Sequence, residues 1–428
     1  MKVALYTLGC KVNQNDTQGL AALFRNHGYQ VVPFGPGAAV YVINTCCVTR
    51  TGEQKSAQMI RKAKSFNPEA LIVVTGCYAQ TAPGEIKGIP GVNLVVGMGE
   101  RPRIVELVED YQRDRRDRVA AVSLKETPFW SSVDAGITER TRATLKIEEG
   151  CEQYCSYCIV PFARGPVRSM PPDQALKEVT QLVGAGFREI VLTGIHLGAY
   201  GRDIGTSLAE LLPKLVAIQG GFRIRLGSLE PADITDQLLA ALLDQKICRH
   251  LHIPLQSGCD RILRLMNRNY DTKEYGRLLT RIREREPLMA IGTDLMVGFP
   301  GETAADFEET TAFLKEQQFS RVHVFRFSPR RGTKAAEFTE RVSKGVQEER
   351  SRIVQQIAAQ TGAAYARRLV GGYVEALFEK QVKSEWIGLA GEYLRVKVKT
   401  DLDLKNCLRR VLVEESHGEY LQGRLIFP

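Results

Sequence analysis

Short apolar runs and amphipathic stretches alternate along the first hundred or so residues. Val3 to Leu8 is a strand-like run, Asp16 to Gly28 repeats apolar residues at helical spacing through Leu20, Leu23 and Phe24, and Val40 to Asn44 reads as a buried strand. Thr51 to Phe66 follows as a basic helix, Leu71 to Thr75 as another strand, and Leu94 to Gly97 closes the series. Strands alternating with helices predict βαβ units and a parallel sheet. Sheets of this kind gather their chemistry at the carboxyl ends of the strands.

The run RDRRDR, Arg113 to Arg118, is charged, and little periodicity follows it. A linker over residues 121–140 is expected there, its neighbouring arginines solvated. From Ala143 the alternation resumes. Candidate strands are Ala143 to Ile147, Glu189 to Thr193, Phe222 to Leu226, His250 to Leu255, Ile291 to Val297 and Arg321 to Phe325. Helical stretches lie at Asp173 to Val183, Ser207 to Ala217, Ile234 to Leu243, Lys273 to Arg285 and Asp306 to Glu316. Six such units suit a partial barrel, a TIM barrel left open. A long helix, Val346 to Leu369, carries Arg350, Arg352, Arg367 and Arg368 on its polar side. The period then changes to two, with strands expected at Tyr373 to Phe378, Tyr393 to Val398, Arg410 to Val413 and Leu421 to Ile426. The expected class is α/β: an N-terminal parallel βαβ sheet domain over residues 1–120, a partial (β/α)6 barrel over 141–367 and a small antiparallel β-barrel over 368–428.

Composition adds bounds. With 44% apolar and 25% charged residues in 428, the chain is an ordinary globular protein with room for two or three domains. No apolar run approaches the roughly 20 residues that span a bilayer, and the start MKVALYTLGC lacks the signature of a secretory signal. A cytoplasmic protein is expected, and its ten cysteines are then thiols kept reduced for metal or catalysis. The net charge of +9 argues for nucleic acid only where basic residues cluster. RVHVFRFSPRRGTKA brings together Arg321, Arg326, Arg330, Arg331 and Lys334 at the expected barrel mouth, where they suit phosphate. In RVKVK, Arg395, Lys397 and Lys399 share one strand face while Val396 and Val398 enter the core. From Arg368 onward there are ten basic and nine acidic residues, so placement rather than number carries the RNA reading.

The candidate chemistry lies in cysteines. Cys151, Cys155 and Cys158 stand at C-x3-C-x2-C spacing in GCEQYCSYCIVPFARG. Thiolates select zinc, copper(I) or iron–sulfur clusters. A [4Fe–4S] cube held by three cysteines keeps one iron open to a small molecule, whereas a structural zinc is closed by four ligands. A zinc knuckle completed from elsewhere, or a loop of buried thiols, is the bland alternative, although no histidine lies in the loop. Three further cysteines each follow an expected strand: Cys10 in LGCKVNQ, Cys46 in NTCCVT and Cys77 in TGCYAQ. Strand ends converge at one sheet edge, so these could share a second centre; taken alone, they fit buried structural cysteines as well. Cys248, Cys259 and Cys407 are read as packing.

With Tyr157 before its last cysteine, the loop resembles the radical S-adenosylmethionine (SAM) signature. LGCKVNQ, NTCxVT, GCYAQ and C-x3-C-x2-C in this order resemble the methylthiotransferases, which carry an auxiliary cluster on an N-terminal domain and replace C–H by C–S–CH3. The resemblance implies SAM and two [4Fe–4S] clusters as cofactors. Cys151, Cys155 and Cys158 would hold the cluster that chelates SAM, and Cys10, Cys46 and Cys77 the auxiliary one. The family usually has another residue at Cys47; Cys46 is taken as the ligand because it aligns with the motif and because adjacent residues leaving a strand point to opposite sides. By the same resemblance, the backbone at Tyr157 meets the adenine of SAM, Thr193 and Gly194 bind its amino end, and Ser228 and Gln256 add contacts. His196 and His252 are expected to be hydrogen-bonded structural residues. No side chain identifies itself as a general base, so no catalytic residue is named.

The last barrel resembles the TRAM domain, an RNA-binding module. Three branches of the family act on isopentenyladenosine in tRNA, on an aspartate of a ribosomal protein, and on N6-threonylcarbamoyladenosine beside the anticodon. LGCKVNQ, NTCxVT, LTGIHLGAYG and SPRRGT look most like the third. The resemblance thus implies a tRNA methylthiotransferase that uses SAM as both methyl donor and radical source. Its partners would be the tRNA anticodon stem-loop and a cellular electron donor, with no membrane and no DNA. A non-catalytic RNA-binding iron–sulfur sensor would share the clusters and the basic barrel but would not need an open iron.

Overall fold

In the computed structural model, which describes residues 1–131 and 141–426, the early apolar runs become one parallel sheet. In chain order its elements are β1 (Lys2–Thr7), α1 (Lys11–Asn26), β2 (Gln30–Val32), β3 (Val40–Thr45), α2 (Arg50–Phe66), β4 (Leu71–Gly76), α3 (Cys77–Thr81), α4 (Pro83–Lys87), β5 (Leu94–Val96), α5 (Ile104–Asp114) and β6 (Arg118–Ala120). The strand order is β2-β1-β3-β4-β5-β6. Alternate residues of β3 serve opposite faces, as the pleat requires. Val40 and Val42 pack with Leu20 and Phe24 of α1 and Ile104 and Val108 of α5, whereas Tyr41 and Ile43 pack with Ile60 and Ala63 of α2.

Two expectations need correction here. The first helix begins at Lys11 rather than Asp16, because Asn13, Asn15 and Asp16 turn inward and their polarity breaks the apolar period. Arg113 is exposed as expected but lies in the last turn of a helix rather than in a linker and pairs with Asp110, and Arg118 opens an edge strand and pairs with Asp110 at 3.2 Å and with Asp114. Three-residue edge strands such as β2 and β6 are too short to leave a period in the sequence. Residues 132–140 of the expected linker lie outside the described residues.

The chain divides into two units. One holds the sheet just described together with Lys146–Met170 and Ser328–Ala336. Past the undescribed stretch, β7 (Arg142–Lys146) leads to β8 (Glu148–Glu149), α6 (Val160–Arg164) and β9 (Arg168–Ser169). β8 and β9 pair antiparallel beneath the C-x3-C-x2-C loop, Glu148 opposite Ser169 and Glu149 opposite Arg168.

The second unit alternates α7 (Pro172–Gly184), β10 (Glu189–Thr193), α8 (Leu208–Val216), β11 (Arg223–Leu226), α9 (Asp236–Ala241), β12 (His250–His252), α10 (Asp260–Leu265), α11 (Thr272–Arg285), β13 (Ala290–Val297), α12 (Ala304–Gln317) and β14 (Arg321–Arg326). Two parallel three-stranded sheets, β11-β10-β7 and β12-β13-β14, meet through the isolated bridges Ile224 to Ile247 and Ser228 to His252. The six strands thus run as an open series. After α13 (Lys334–Glu337) and α14 (Lys344–Arg367) comes a closed five-stranded barrel. Its strands are β15 (Tyr373–Val382), β16 (Glu385–Ala390), β17 (Arg395–Lys399), β18 (Leu408–Ser416) and β19 (Tyr420–Leu425). β16 is one strand more than the sequence suggested.

The small barrel sits at the amino-terminal ends of the partial-barrel strands. Its core, built on Phe378, Trp386, Val396, Val398 and Val411, continues into Tyr365 and Leu369 and into Ala290 at the start of β13. Arg223 and Arg225 of β11 donate to the carbonyls of Glu375, Leu389, Ala390 and Gly391, and both pair with Glu189 at the start of β10. Burial would raise the Glu189 carboxyl, but Arg225 and Arg223 outweigh it and hold it down at about 2. Arg350, expected on the polar side of the long helix, is instead buried against Glu302 at 2.6 Å and over the ring of Phe307. Among the described residues no helix is long and apolar enough to cross a membrane.

Removing the anion from this clamp deprives two buried guanidiniums of their shared carboxylate and leaves Arg223 only the more distant, half-exposed Glu375 at 3.7 Å. Glu189→Gln should cost about 3–5 kcal/mol in denaturant unfolding. Because the folded carboxyl is depressed, its contribution is complete above the ordinary value of 4.5 and is lost as pH falls toward about 2. Acid titration of stability should therefore be flatter in that window for the variant than for the native chain.

Candidate metal centres

β1, β3 and β4 are adjacent in the sheet, so their carboxyl ends deliver Cys10, Cys46 and Cys77 to one edge. The polar residues around these cysteines are lashings. Asn13 donates to the carbonyls of Leu8 at 2.7 Å and Thr45 at 3.0 Å, and Asn44 returns a bond to the Asn13 carbonyl at 2.9 Å. Thr45 donates its hydroxyl to the Thr75 carbonyl at 2.6 Å. Three strand ends are thereby held by side chains within the motifs themselves.

Glycine is required at two points of this edge. Gly9 has φ +103°, and a Cβ there would lie 3.0 Å from the Cys46 Cβ and 3.1 Å from its sulfur. Gly76 has φ +97°, and a Cβ would meet Asn44 Oδ1 at 2.3 Å and the Thr45 carbonyl at 2.4 Å. The Cys46 sulfur therefore lies against the Cys10 loop. Its neighbour Cys47 is buried on other partners, packing with Cys77, Ile159 and Ala163.

The three thiols differ electrostatically. A hydrogen bond from Cys47, together with the Arg164 guanidinium and against the effect of burial, brings Cys77 down to about 6. The same bond holds Cys47 far above the ordinary thiol range, and burial pushes Cys46 up to about 11. The pairing thus favours the thiolate at Cys77 and the protonated thiol at Cys47.

The second group sits on a loop pinned at its neck. The Cys151 amide donates to the Gly165 carbonyl at 3.0 Å, and the Cys158 amide to the Cys155 carbonyl at 2.9 Å. At Gly150, φ +106°, a Cβ would fall 1.9 Å from the Pro166 carbonyl oxygen, so the two ends of the loop approach at van der Waals distance. Cys151, Cys155 and Cys158 are all half-buried, and Tyr154 between them is exposed. Tyr157, expected to offer its backbone to a cofactor, lies in the same loop one residue before Cys158.

Both groups belong to one folded unit. Ile159, next to Cys158, packs on Cys47 and Cys77, and Arg164 donates Nε to the Cys77 sulfur at 3.3 Å. Residues 328–336 stitch the two loops further: the Ala335 amide donates to the Ser156 carbonyl, and Arg330 reaches the Cys47 carbonyl at 3.3 Å and Glu53 at 2.8 Å. The basic stretch is therefore not one exposed patch. Arg321 stands at the amino end of β14 over Tyr393, Arg326 pairs with Glu348, Arg330 is buried, and Arg331 is exposed. Beside Cys47 a cavity of about 910 Å³ is lined by Arg50, Tyr78, Phe162, Arg330 and Arg331 among others.

Each thiolate set suits an iron–sulfur cube. Among the described residues no three Cys, His, Asp or Glu are drawn together as around a single ion. A cube binds each cysteine to a different iron and so spreads its ligands more widely. Asp16, Arg101, Lys146, Glu149 and Arg164 form a buried ion network beside both groups. Sequence reading missed it, since a lone charged residue in a helix or strand leaves no local signal of burial.

In the second unit the remaining expected contacts fall at strand carboxyl ends. Thr193 ends β10 and is buried, with Gly194 after it. The Gly227 amide donates to the Leu192 carbonyl, and a Cβ at Gly227 would lie 3.6 Å from Thr193 Oγ1, so the GSLEP turn adjoins Thr193. Ser228 bonds His252 Nδ1 at 2.8 Å, and His252 faces Asp294 at 3.2 Å. Gln256 has φ +68° and donates its amide to the Asp294 carbonyl. His196 is bound to Asp233 at 2.6 Å. Thr193, Gly227, Ser228, His252 and Asp294 form one edge, while Cys248, Cys259 and Cys407 take part in packing or local bonds elsewhere.

Residues 2–97 match the model of uncharacterized protein family UPF0004, and residues 145–314 match the radical SAM superfamily. The chain is 40% identical over 433 residues to the threonylcarbamoyladenosine tRNA methylthiotransferase MtaB of Bacillus subtilis, covering 99% of this chain and 96% of that one. It is 37% identical to the Thermotoga maritima protein of the same name, covering 93% and 94%. A tRNA-2-methylthio-N(6)-dimethylallyladenosine synthase of Moorella thermoacetica is 35% identical, covering 99% and 98%. Among solved structures, the radical SAM methyltransferase TsrM from Kitasatospora setae, with cobalamin and a [4Fe–4S] cluster bound, superposes with a TM-score of 0.60 at 12% identity over 78% of this chain and 74% of that one, a likeness of fold.

The tight approach at Gly76 can be tested. Gly76→Ala should leave the far-ultraviolet spectrum intact but lower iron incorporation by a chain in which Cys151, Cys155 and Cys158 are replaced by Ala. Gly205→Ala, at φ +72° with nothing within 4 Å, carries similar backbone strain without the clash and should reconstitute normally.

Proposed function

The chain belongs to the radical SAM tRNA methylthiotransferase family, and on that premise we propose that it installs a 2-methylthio group on N6-threonylcarbamoyladenosine beside the tRNA anticodon. The observation that carries this reading is the packing of two three-cysteine groups in one unit, joined by Ile159 and Arg164. When bound, SAM and the two [4Fe–4S] clusters supply the methyl group, the radical and a site for sulfur.

The chain's residues hold, orient and shield these groups. Cys151, Cys155 and Cys158 hold one cluster on a loop whose neck is closed by Cys151 and Gly165; Cys10, Cys46 and Cys77 hold the other on strand ends fixed by Asn13 and Asn44. Cys47 keeps its proton and supports Cys77 instead of replacing Cys46. Tyr157, Thr193, Gly194, Ser228 and Gln256 serve SAM, mainly through backbone and short polar groups.

The substrate branch rests on relatives and on cavity chemistry. Three relatives named for threonylcarbamoyladenosine are 37–40% identical, above the 35% of the Moorella thermoacetica dimethylallyladenosine enzyme. The cavity beside Cys47 offers the exposed Phe162 ring and, with Glu53 and Glu85 engaged by Arg330 and Arg331, the Arg50 guanidinium, which suits a base bearing a carboxylate better than one bearing a hydrocarbon. The C-terminal barrel meets RNA through the face of Arg395 and Lys397. Lys397 lies 3.7 Å over the Tyr420 ring, and Tyr420 stacks on His417, a surface suited to phosphates and unstacked bases. A cellular electron donor completes the system.

Anaerobic reconstitution should give about eight irons per chain, and about four after Cys151, Cys155 and Cys158 are all replaced by Ala. The reduced native protein should convert SAM to 5′-deoxyadenosine; an iron-loaded protein that does not is a sensor, not an enzyme. Nucleoside mass spectrometry of tRNA from a deletion strain should show loss of the methylthio group from threonylcarbamoyladenosine alone. Loss from isopentenyladenosine, or a change confined to a ribosomal protein, would move the chain to another branch.

A further inference from the structure

Arg164 lies six residues beyond Cys158, yet its guanidinium is spent on the other cysteine group. It is fully buried, with Nη1 at 2.8 Å from Asp16 and 2.5 Å from Glu149, Nη2 on the Asn13 side-chain oxygen, and Nε on the Cys77 sulfur at 3.3 Å. The same two carboxylates are already served. Arg101 reaches Asp16 at 2.6 Å and Glu149 at 2.8 Å, and Lys146 reaches them at 2.6 and 3.0 Å.

The charges do not cancel among these side chains. Three buried cations, Arg101, Lys146 and Arg164, face two buried carboxylates, Asp16 and Glu149. Arg168 and Glu148, also buried on the β8–β9 ladder, add one charge of each sign and leave the surplus unchanged. An uncompensated cation in a buried network is expensive. The group in contact with it that can carry the missing negative charge is the Cys77 sulfur.

We infer that Arg164 is a positioning residue that sets the charge and reduction potential of the iron–sulfur group held through Cys77, tying that group to the loop of Cys151, Cys155 and Cys158. The inference rests on the reading that Cys77 is a cluster ligand. Three thiolates on an oxidised cube carry a net negative charge, which one-electron reduction makes more negative. A fixed cation donating to one sulfur stabilises the reduced form more than the oxidised one and so raises the potential. Because the guanidinium is anchored by Asp16, Glu149 and Asn13, it stays at that sulfur through the redox change.

The charge balance designates the variant. Arg164→Met leaves Arg101 and Lys146 against Asp16 and Glu149, a balanced set, and removes the counter-charge of Cys77 together with the bond to Asn13. The test uses the full chain with Cys151, Cys155 and Cys158 replaced by Ala, so that one cluster remains, reconstituted with iron and sulfide and titrated electrochemically while its reduced-state paramagnetic signal is followed. Arg164→Met should shift the midpoint to more negative potential, Arg164→Lys should restore most of it, and Arg101→Met, which changes the network without touching Cys77, should leave it near the parent value. If Arg164→Met cannot retain iron, retention by Arg164→Lys supports a role for charge, while equal loss in both overturns it. An unchanged midpoint in Arg164→Met at full iron content, or an equal shift in Arg101→Met, also overturns it. Should Arg164→Met fail to fold, Arg164→Gln replaces it under the same criteria. Absence of iron from the parent protein would instead refute the reading of Cys77 as a ligand.

Discussion

The first unit depends on a cluster of charge removed from water. Asp16 comes from a helix that starts at a cysteine, Glu149 from a two-residue strand under the C-x3-C-x2-C loop, and Arg164 from the turn of helix that leaves that loop. Bringing these groups together costs several kcal/mol of desolvation per ion, repaid only by close pairing from several directions. Burial alone would raise both carboxyls, yet Arg101, Lys146 and Arg164 hold Asp16 below its ordinary range and Glu149 well below it. A network paired from so many directions tolerates little displacement, which is what two neighbouring thiolate groups require if both are to serve one substrate.

In the second unit a smaller ion cluster holds the partial barrel and the C-terminal barrel together. Glu189, Arg223 and Arg225 lie at the amino-terminal ends of β10 and β11 and clasp carbonyls of the C-terminal barrel. That barrel therefore caps the end of the strands remote from Thr193 and Ser228. The basic face of β17 adjoins Tyr393 and Arg321, and a cavity of about 750 Å³ runs between this face and α14.

Much of the fold was legible because its signals are local. Apolar runs that enter a sheet buried on both faces, such as β3 and β4, are continuous in the sequence, and the five-residue strand β10 falls where the pattern places it. Cysteine spacing was equally legible, since three ligands for one centre must lie close on one loop or at matching strand ends. Asn13, Asp16 and Arg164 were not, because inward-facing polar side chains on a helix mimic its solvent face. Arg330 and Arg350 failed in the same way: each looks like a surface cation until Glu53 or Glu302 is brought to it from far along the chain.

The sequence by itself determined the class of chemistry, because thiolate number and spacing depend on covalent neighbours, and the order of elements, because period depends on the nearest residues. Only the tertiary structure decided which cations are exposed, which thiol keeps its proton, and where the surplus charge of the buried network is answered. Those outcomes depend on distances between residues that share no local pattern: Cys47 beside Cys77, Arg101 beside Glu149, Arg164 beside Cys77 and Asp16. Electrostatic energy in a buried site is set by such distances, and no reading of residues in order contains them.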